Sequence, residues 1–300
     1  MDHATSINAT QRGESPALAH WQEAGKWFNY GEQTIFSRID GQGEALLLIH
    51  GFPTASWDWH RLWPLVLPRH QLLALDMVGF GFSDKPADYD YSVIDQATLH
   101  QGWLQTLGVE RVHIIAHDYG CSVAQELLAR EQEGTLECKI ASVCFLNGAL
   151  FPEMHRPMLI QKLLVSPVGG LVSRGITRQV FEFNLTRIFG PDTRPSREDL
   201  EDFWQLLIFN NGRGILHRLI RYMEERRCHR NRWVSALQRA RQPLQLISGQ
   251  ADPVSGQPMA DRYAALLPGA DLQRLDHIGH YPHFEAPRTV WERYRAFRGL

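Results

Sequence analysis

The chain has 300 residues, 44% of them hydrophobic and 21% charged, with a formal net charge of -2. This is the balance of an ordinary globular protein, and nothing in it demands nucleic acid or an acidic partner. Four cysteines (121, 138, 144 and 228) form no CxxC pair or metal-like cluster, so they read as free thiols of a reducing compartment.

Residues 1–20 are polar and lack the apolar core of a signal peptide, so a flexible tail is expected there. No apolar run approaches the roughly 18–20 residues of a spanning helix, and a cytoplasmic location is expected. "KWFNYG" (26–31) and "QTIFSRID" (33–40) predict a hairpin, and the apolar run "ALLLIHG" (45–51) a strand covered on both faces. "SWDWHRLWPLVL" (56–67) predicts a helix and "QLLALDMVG" (71–79) another buried strand. Ser92 and Asp95 predict a capped helix over 92–109. A strand over 111–116, a turn "AHDYGC" (116–121), a helix near 120–132 and a sixth strand over 140–148 follow.

From Phe151 the alternation stops. Residues 151–236 hold only helical patterns and are read as a cap domain of helices inserted after the sixth strand. Between 151 and 241 there are 16 Arg and Lys against 9 Asp and Glu, whereas the rest of the chain has 15 against 24. The arginine-rich stretch 213–232 is read as a solvated lid face, with contact to an anionic substrate or a membrane surface as the other reading. The strand–helix rhythm resumes with strands over 243–249 and 271–276, a helix over 257–267 and a closing helix from Arg288.

This order predicts an α/β fold, a mostly parallel eight-stranded sheet with helices on both faces, whose core comprises 21–150 and 237–300. Ligands of such sheets sit beyond the carboxyl ends of the strands. There "AHDYG" places Asp118 between small residues on a sharp strand-to-helix turn, the position of a nucleophile. The plainer reading is an aspartate capping the next helix. "SGQADPVSG" (248–256) adds Asp252 just after a strand, and "DHIGHYPHFEAP" (276–287) adds His280 before the last helix. The order nucleophile, acid, histidine is that of the α/β-hydrolases.

With "HGFPTASWDW", "ALDMVGFGFSDKP", "HDYGCSVAQELL", "FPEMHRPMLIQKLL", "FGPDTRP", "RRCHRNRWVSAL" and "HYPHFEAP", the chain resembles the epoxide hydrolase/haloalkane dehalogenase group of α/β-hydrolases. Within that group it is most similar to the mesoderm-specific transcript protein family. The resemblance covers about residue 25 to the end. It implies an alkyl-enzyme ester on Asp118, hydrolysed by water that His280, oriented by Asp252, deprotonates. The backbone N–H groups of Phe52 and Tyr119 would form the oxyanion hole.

Epoxide opening also needs an acid. Tyr222, the one tyrosine of 151–236, resembles a lid tyrosine of epoxide hydrolases, while Phe181 and Phe183 stand near the place of the other. Dehalogenases usually carry tryptophan after the nucleophile and often asparagine after His-Gly, where this chain has Tyr119 and Phe52. The expected reaction is therefore epoxide hydrolysis of a small apolar molecule, with haloalkane or haloacid dehalogenation as the alternative and non-catalytic ligand binding as a third reading. Trp204, Phe181 and Phe183 are candidate pocket-lining residues, and Trp233 is expected to pack the lid.

No cofactor or metal is expected, since no HExxH or comparable spacing occurs. "GFGFSD" lacks the third glycine of a dinucleotide loop. His50 and His117 read as supporting hydrogen-bonding groups, His113 as a packed imidazole and Cys121 as a small packing residue. The expected partner is a small-molecule substrate, not nucleic acid.

Overall fold

Residues 15–300 are described in the computed structural model. Eight strands form one sheet: β1 (Lys26–Tyr30), β2 (Gln33–Asp40), β3 (Glu44–Ile49), β4 (His70–Leu75), β5 (Arg111–His117), β6 (Lys139–Leu146), β7 (Leu244–Gly249) and β8 (Asp271–Leu275). Their spatial order is β1-β2-β4-β3-β5-β6-β7-β8. The opening hairpin pairs antiparallel, turning at Gly31 with φ 57°, and β2 meets β4 antiparallel. Every other pairing is parallel. Leu46, Leu47, Leu48 and Ile49 of β3 are all fully buried. Burial without alternation means that both faces of the sheet are covered, which is why these strands are continuous apolar runs in sequence.

The helix Val93–Thr106 begins as its capping sequence predicts, with Ser92 Oγ accepting the Asp95 N–H at 3.0 Å. It packs beside the helix Tyr119–Gln132, and Arg230–Gln238 packs along the latter. The closing helix Pro287–Arg298 buries Val290 and Tyr294 and rests on Trp63–Val66.

Three expectations change. The tail predicted over 1–20 is already helical from Pro16 to Glu23, because Ser15 caps that helix and Leu18 and Trp21 are buried; residues 1–14 lie outside the described residues. The helix predicted over 56–67 is a 3-10 turn, Ser56–Arg61, followed by the single turn Trp63–Val66. The fourth strand ends at Leu75 and not at 79. Asp76 there turns inward and accepts the N–H groups of Ser56 and Phe82, both at 2.7 Å. That is the physical use of "GFGFSD": at Gly81 a Cβ would come within 2.1 Å of Asp76 Oδ2.

No strand occurs between β6 and β7; the chain there forms helices, from Leu159–Val165 through Tyr222–Cys228 to Arg230–Gln238. The last of these packs along the core helix Tyr119–Gln132. Trp233 Nε1 donates to Glu126 at 2.8 Å, and Arg232 grips both Glu126 and Glu133 of the helix Tyr119–Gln132. Such pairing offsets part of the charge imbalance of the sequence, since Arg218, Arg226 and Arg232 each meet an acid of the core. Glu225 runs the other way, accepting the Val93 and Ile94 N–H groups at the positive end of a core helix.

Candidate active site

The central strand β5 ends against the helix Tyr119–Gln132, and Asp118 sits on the corner with φ 42° and ψ -105°. A non-glycine residue at positive φ is strained and persists only where its surroundings impose it. Here Gly120 lets the turn approach β3: a Cβ at that position would lie 2.4 Å from the Ile49 carbonyl oxygen. The Asp118 side chain makes no capping bond to the helix that it precedes. Instead Oδ2 accepts the Phe52 N–H at 3.2 Å. The capping reading of this aspartate is therefore excluded.

A cation holds Asp118 from above. Arg226 of the cap, 2% exposed, donates from Nη2 to the Asp118 carbonyl at 2.9 Å and from Nε to Ser122 Oγ at 2.6 Å. Nη2 also stands 3.5 Å from Asp118 Oδ1. Burial by itself would raise the Asp118 carboxyl, but Arg226, His280, His117 and the Phe52 N–H outweigh it and hold the group below its ordinary value. Sequence reasoning missed Arg226. Its one distinguishing signal is a place one helical turn after Tyr222.

Asp252 follows β7, and its Oδ2 lies 2.8 Å from His280 Nδ1. The carboxylate is fully hydrogen-bonded: it also accepts from Asn147 Nδ2 at 2.9 Å, the Val254 N–H at 2.7 Å, and Ser255 Oγ at 2.7 Å. Asn147, at φ 36° just past β6, also takes the Gly249 N–H at 2.7 Å and so ties the ends of two strands together. It too escaped sequence reading. Burial disfavours the His280 imidazolium, yet the Asp252 and Asp118 carboxylates raise its pKa to about 9.

The supporting histidines are placed as expected. His50 Nε2 accepts the Met77 N–H at 3.1 Å, and His113 Nδ1 meets Ser142 Oγ at 2.8 Å. His117 Nε2 donates to the His280 carbonyl at 2.8 Å, fixing the loop that carries His280. Cys121 is buried, its Sγ donating to the Ala116 carbonyl at 3.2 Å, and burial pushes its thiol pKa up, away from a reactive thiolate. Behind His280, Asp58, His117 and His283 offer ligand-type atoms that all lie within 4.8 Å of one another. They come from three distant segments, so no spacing in the sequence announces them.

Asp118 and His280 open on a cavity of about 90 Å³. The core contributes Phe52, Pro53 and Val254 to its wall, and the cap contributes Met158, Ile160, Leu164, Phe181, Leu185 and Ile188, with Gln161 and Asn184 as its polar groups. The cap is anchored beside the site, the His280 N–H donating to the Ile188 carbonyl at 2.8 Å.

Of the candidate lining residues, Phe181 is on the wall. Trp204 is behind it, its ring 5.7 Å from that of Phe181. Phe183 points outward and is 61% exposed, because residues two apart on one helix cannot share a face. Tyr222 is buried but absent from the wall. Its ring packs 5.8 Å from Phe52 and 4.9 Å from Tyr119, with the Arg226 guanidinium 4.3 Å above it. Burial and the nearby Asp118 charge both keep its phenol protonated.

Residues 44–287 match the model of the alpha/beta hydrolase fold family. The chain belongs to that family. It is 42% identical over 297 residues to the human mesoderm-specific transcript homolog protein, covering 94% of this chain and 88% of the human one. A putative hydrolase of Mycobacterium tuberculosis, LipZ, is 35% identical over 279 residues, 93% of this chain and 96% of that protein. In fold it superposes on a haloalkane dehalogenase variant from Bradyrhizobium elkanii with a TM-score of 0.77 at 20% identity, covering 92% and 96% of the two chains. The protein is a hydrolase of α/β fold.

Proposed function

We propose that this hydrolase works through an alkyl ester formed on Asp118. The observation that carries the reading is a buried carboxylate, held ionised by Arg226, on the wall of an apolar cavity beside a histidine paired with Asp252. A carboxylate is suited to displacing a leaving group from saturated carbon and poorly suited to acyl transfer from esters, which would give an anhydride.

In this reading Asp118 attacks carbon and loses its charge. The His280 imidazolium, stabilised until then by two carboxylates, loses one of them and gives its proton to solvent more readily. Neutral His280 then takes a proton from water, the hydroxide attacks the Asp118 ester carbonyl, and the protonated imidazole returns that proton to the departing alkoxide. The Asp118 carboxylic acid that remains ionises to His280, restoring the starting carboxylate and imidazolium. The oxyanion is met by the N–H groups of Phe52 and of Tyr119, the latter at the first turn of a helix, where N–H groups lack intrahelical partners.

The small, largely apolar cavity favours a small uncharged substrate, and we assign an epoxide, whose ring oxygen takes a proton from Tyr222 once that phenol turns from behind Phe52 toward the cavity, the phenolate then recovering a proton from solvent. Haloalkane dehalogenation is the second reading, favoured by one feature. The carbonyl of Gln161 is occupied by the Met158 N–H, leaving its amide NH2 as the donor at the wall for a leaving halide. Incubating the His280→Gln protein with epoxides and haloalkanes and weighing the peptide that contains Asp118 tests both. An adduct from epoxides alone supports the first reading, one from haloalkanes alone the second. No adduct, or an adduct on Cys121, overturns the mechanism.

A further inference from the structure

The cap exposes an apolar surface for which hydrolysis has no use. Leu159, Leu163, Val168, Leu171, Val180 and Phe183 are all large apolar side chains at least 40% exposed, and Leu159 and Leu171 reach 72%. Elsewhere among the described residues only Trp27, Leu107 and Leu300 are comparably exposed. Single exposed apolar residues are normal, but such a concentration in one stretch marks an interaction site.

Its position relates it to the pocket. Leu159 and Leu163 lie one turn apart on the helix Leu159–Val165, whose Ile160 and Leu164 line the cavity. Val180 and Phe183 lie on Arg178–Thr186, whose Phe181 and Asn184 line it from the other side. Val180 is both exposed and on the wall, so the apolar surface runs into the cavity.

The same stretch is cationic. Residues 156–187 contain Arg156, Lys162, Arg174, Arg178 and Arg187 but one acid, Glu182. Arg178 takes Glu182 at 2.5 Å, while Arg156, Lys162, Arg174 and Arg187 are exposed. Arg187 stands 5.2 Å over the Phe183 ring, cation beside apolar group.

We propose that this face of the cap docks on an anionic lipid bilayer, so that a lipophilic substrate dissolved in the membrane enters the Asp118 pocket directly. Exposed leucines and phenylalanine enter the boundary between headgroups and acyl chains, while the cations meet lipid phosphates and carboxylates. The contact is peripheral, since no helix among the described residues is long and apolar enough to cross a membrane. A second copy of the chain is a poorer occupant, because two-fold pairing would oppose like charges. Docking stands on the surface alone; delivery to Asp118 rests on the hydrolytic reading.

Co-sedimentation of the full chain with phosphatidylcholine vesicles, with and without phosphatidylserine, tests the proposal. Binding at least about tenfold stronger to phosphatidylserine vesicles, and weakened by salt, is expected. The combined Leu159→Glu/Leu171→Glu/Phe183→Glu variant and, separately, Lys162→Glu/Arg174→Glu/Arg187→Glu should lose it while keeping the parent circular dichroism. Asp118→Asn should bind like the parent although it cannot form the ester, and a parent protein that binds vesicles but gives no Asp118 adduct would count against the hydrolytic reading and not against docking. Equal binding to both vesicle types, no binding, or variants that bind like the parent would overturn the proposal. So would a dimer in solution that the apolar variant dissolves.

Discussion

The floor and the roof of the pocket are built on different principles. The floor consists of strand ends and tight turns whose polar atoms are held by short, buried hydrogen bonds: Asp118 by Phe52, Asp252 by Asn147 and Ser255, and His280 by Asp252 and, through its carbonyl, by His117. The roof consists of short helices that present apolar side chains inward and, over 159–183, outward as well. Rigid placement suits bond-making, and an apolar, adaptable wall suits selection of what enters. Arg226 crosses the divide, a roof residue bonded to the backbone carbonyl of Asp118.

The largest effect should come from the floor. His280→Gln should reduce turnover by roughly a hundred- to ten-thousandfold while ester formation continues, so that the Asp118 ester accumulates in rapid-quench mass spectra. In the parent protein the His280 ring should titrate near pH 9 by NMR, and esterification of Asp118 should move that value down. A histidine that titrates alike before and after alkylation would show that the two groups do not share a field.

Arg226→Met comes next and joins floor to roof. Removing one partner of a buried ion pair costs about 3–5 kcal/mol, so urea denaturation should show a large loss. Because the Asp118 carboxyl is held low in the folded state, its ionised form stabilises the fold above the unfolded carboxyl pKa, and that contribution is lost as pH falls through the folded value. Without Arg226 the folded value rises, so acid unfolding should begin at higher pH, and the acid limb of Asp118 alkylation should shift the same way. A variant with unchanged acid limb would make Arg226 a packing residue.

The same contrast governs what can be read from sequence. The floor was legible because its strands are apolar on both faces and because a small-x-Asp-x-small turn and a Gly-His-x-Pro loop occur in a fixed order. Its supports were less so: Asn147 follows a strand like any other polar residue, and Asp58, His117 and His283 meet only in three dimensions. In the roof, composition revealed helices and excess charge but not direction. Only its place one helical turn after Tyr222 distinguishes Arg226, which turns inward, from Arg227, which is exposed. The predicted helix over 56–67 failed because buried tryptophans there serve loop packing against neighbouring rings, including Trp21, and propensity yields to such tertiary contacts.

Tyr222→Phe probes the roof's chemical contribution. Loss of one transition-state donor costs about 2.7–4 kcal/mol at full strength. Since Tyr222 packs beside the wall and not on it, the expected slowing of epoxide alkylation in stopped-flow assays is smaller, at least about tenfold. An unchanged rate would leave the phenol as packing between Phe52 and Arg226 and would favour the dehalogenase reading.

The smallest effect separates the two faces of a single roof helix. Phe181 and Phe183 are two residues apart on Arg178–Thr186, one buried on the cavity wall and the other 61% exposed. Phe181→Ala should destabilise the protein and raise KM for an apolar substrate, since it removes buried ring contacts with Trp204 as well as wall area. Phe183→Ala removes a ring that touches no part of the wall, and its Arg187 contact is at the surface. Its effect on stability should stay within about 0.5 kcal/mol, and KM for a water-soluble substrate should not change without membranes. If Phe183→Ala instead raises KM in free solution as much as Phe181→Ala, the helix turns its outer face to the substrate when one binds, and the division between an inner wall and an outer surface fails.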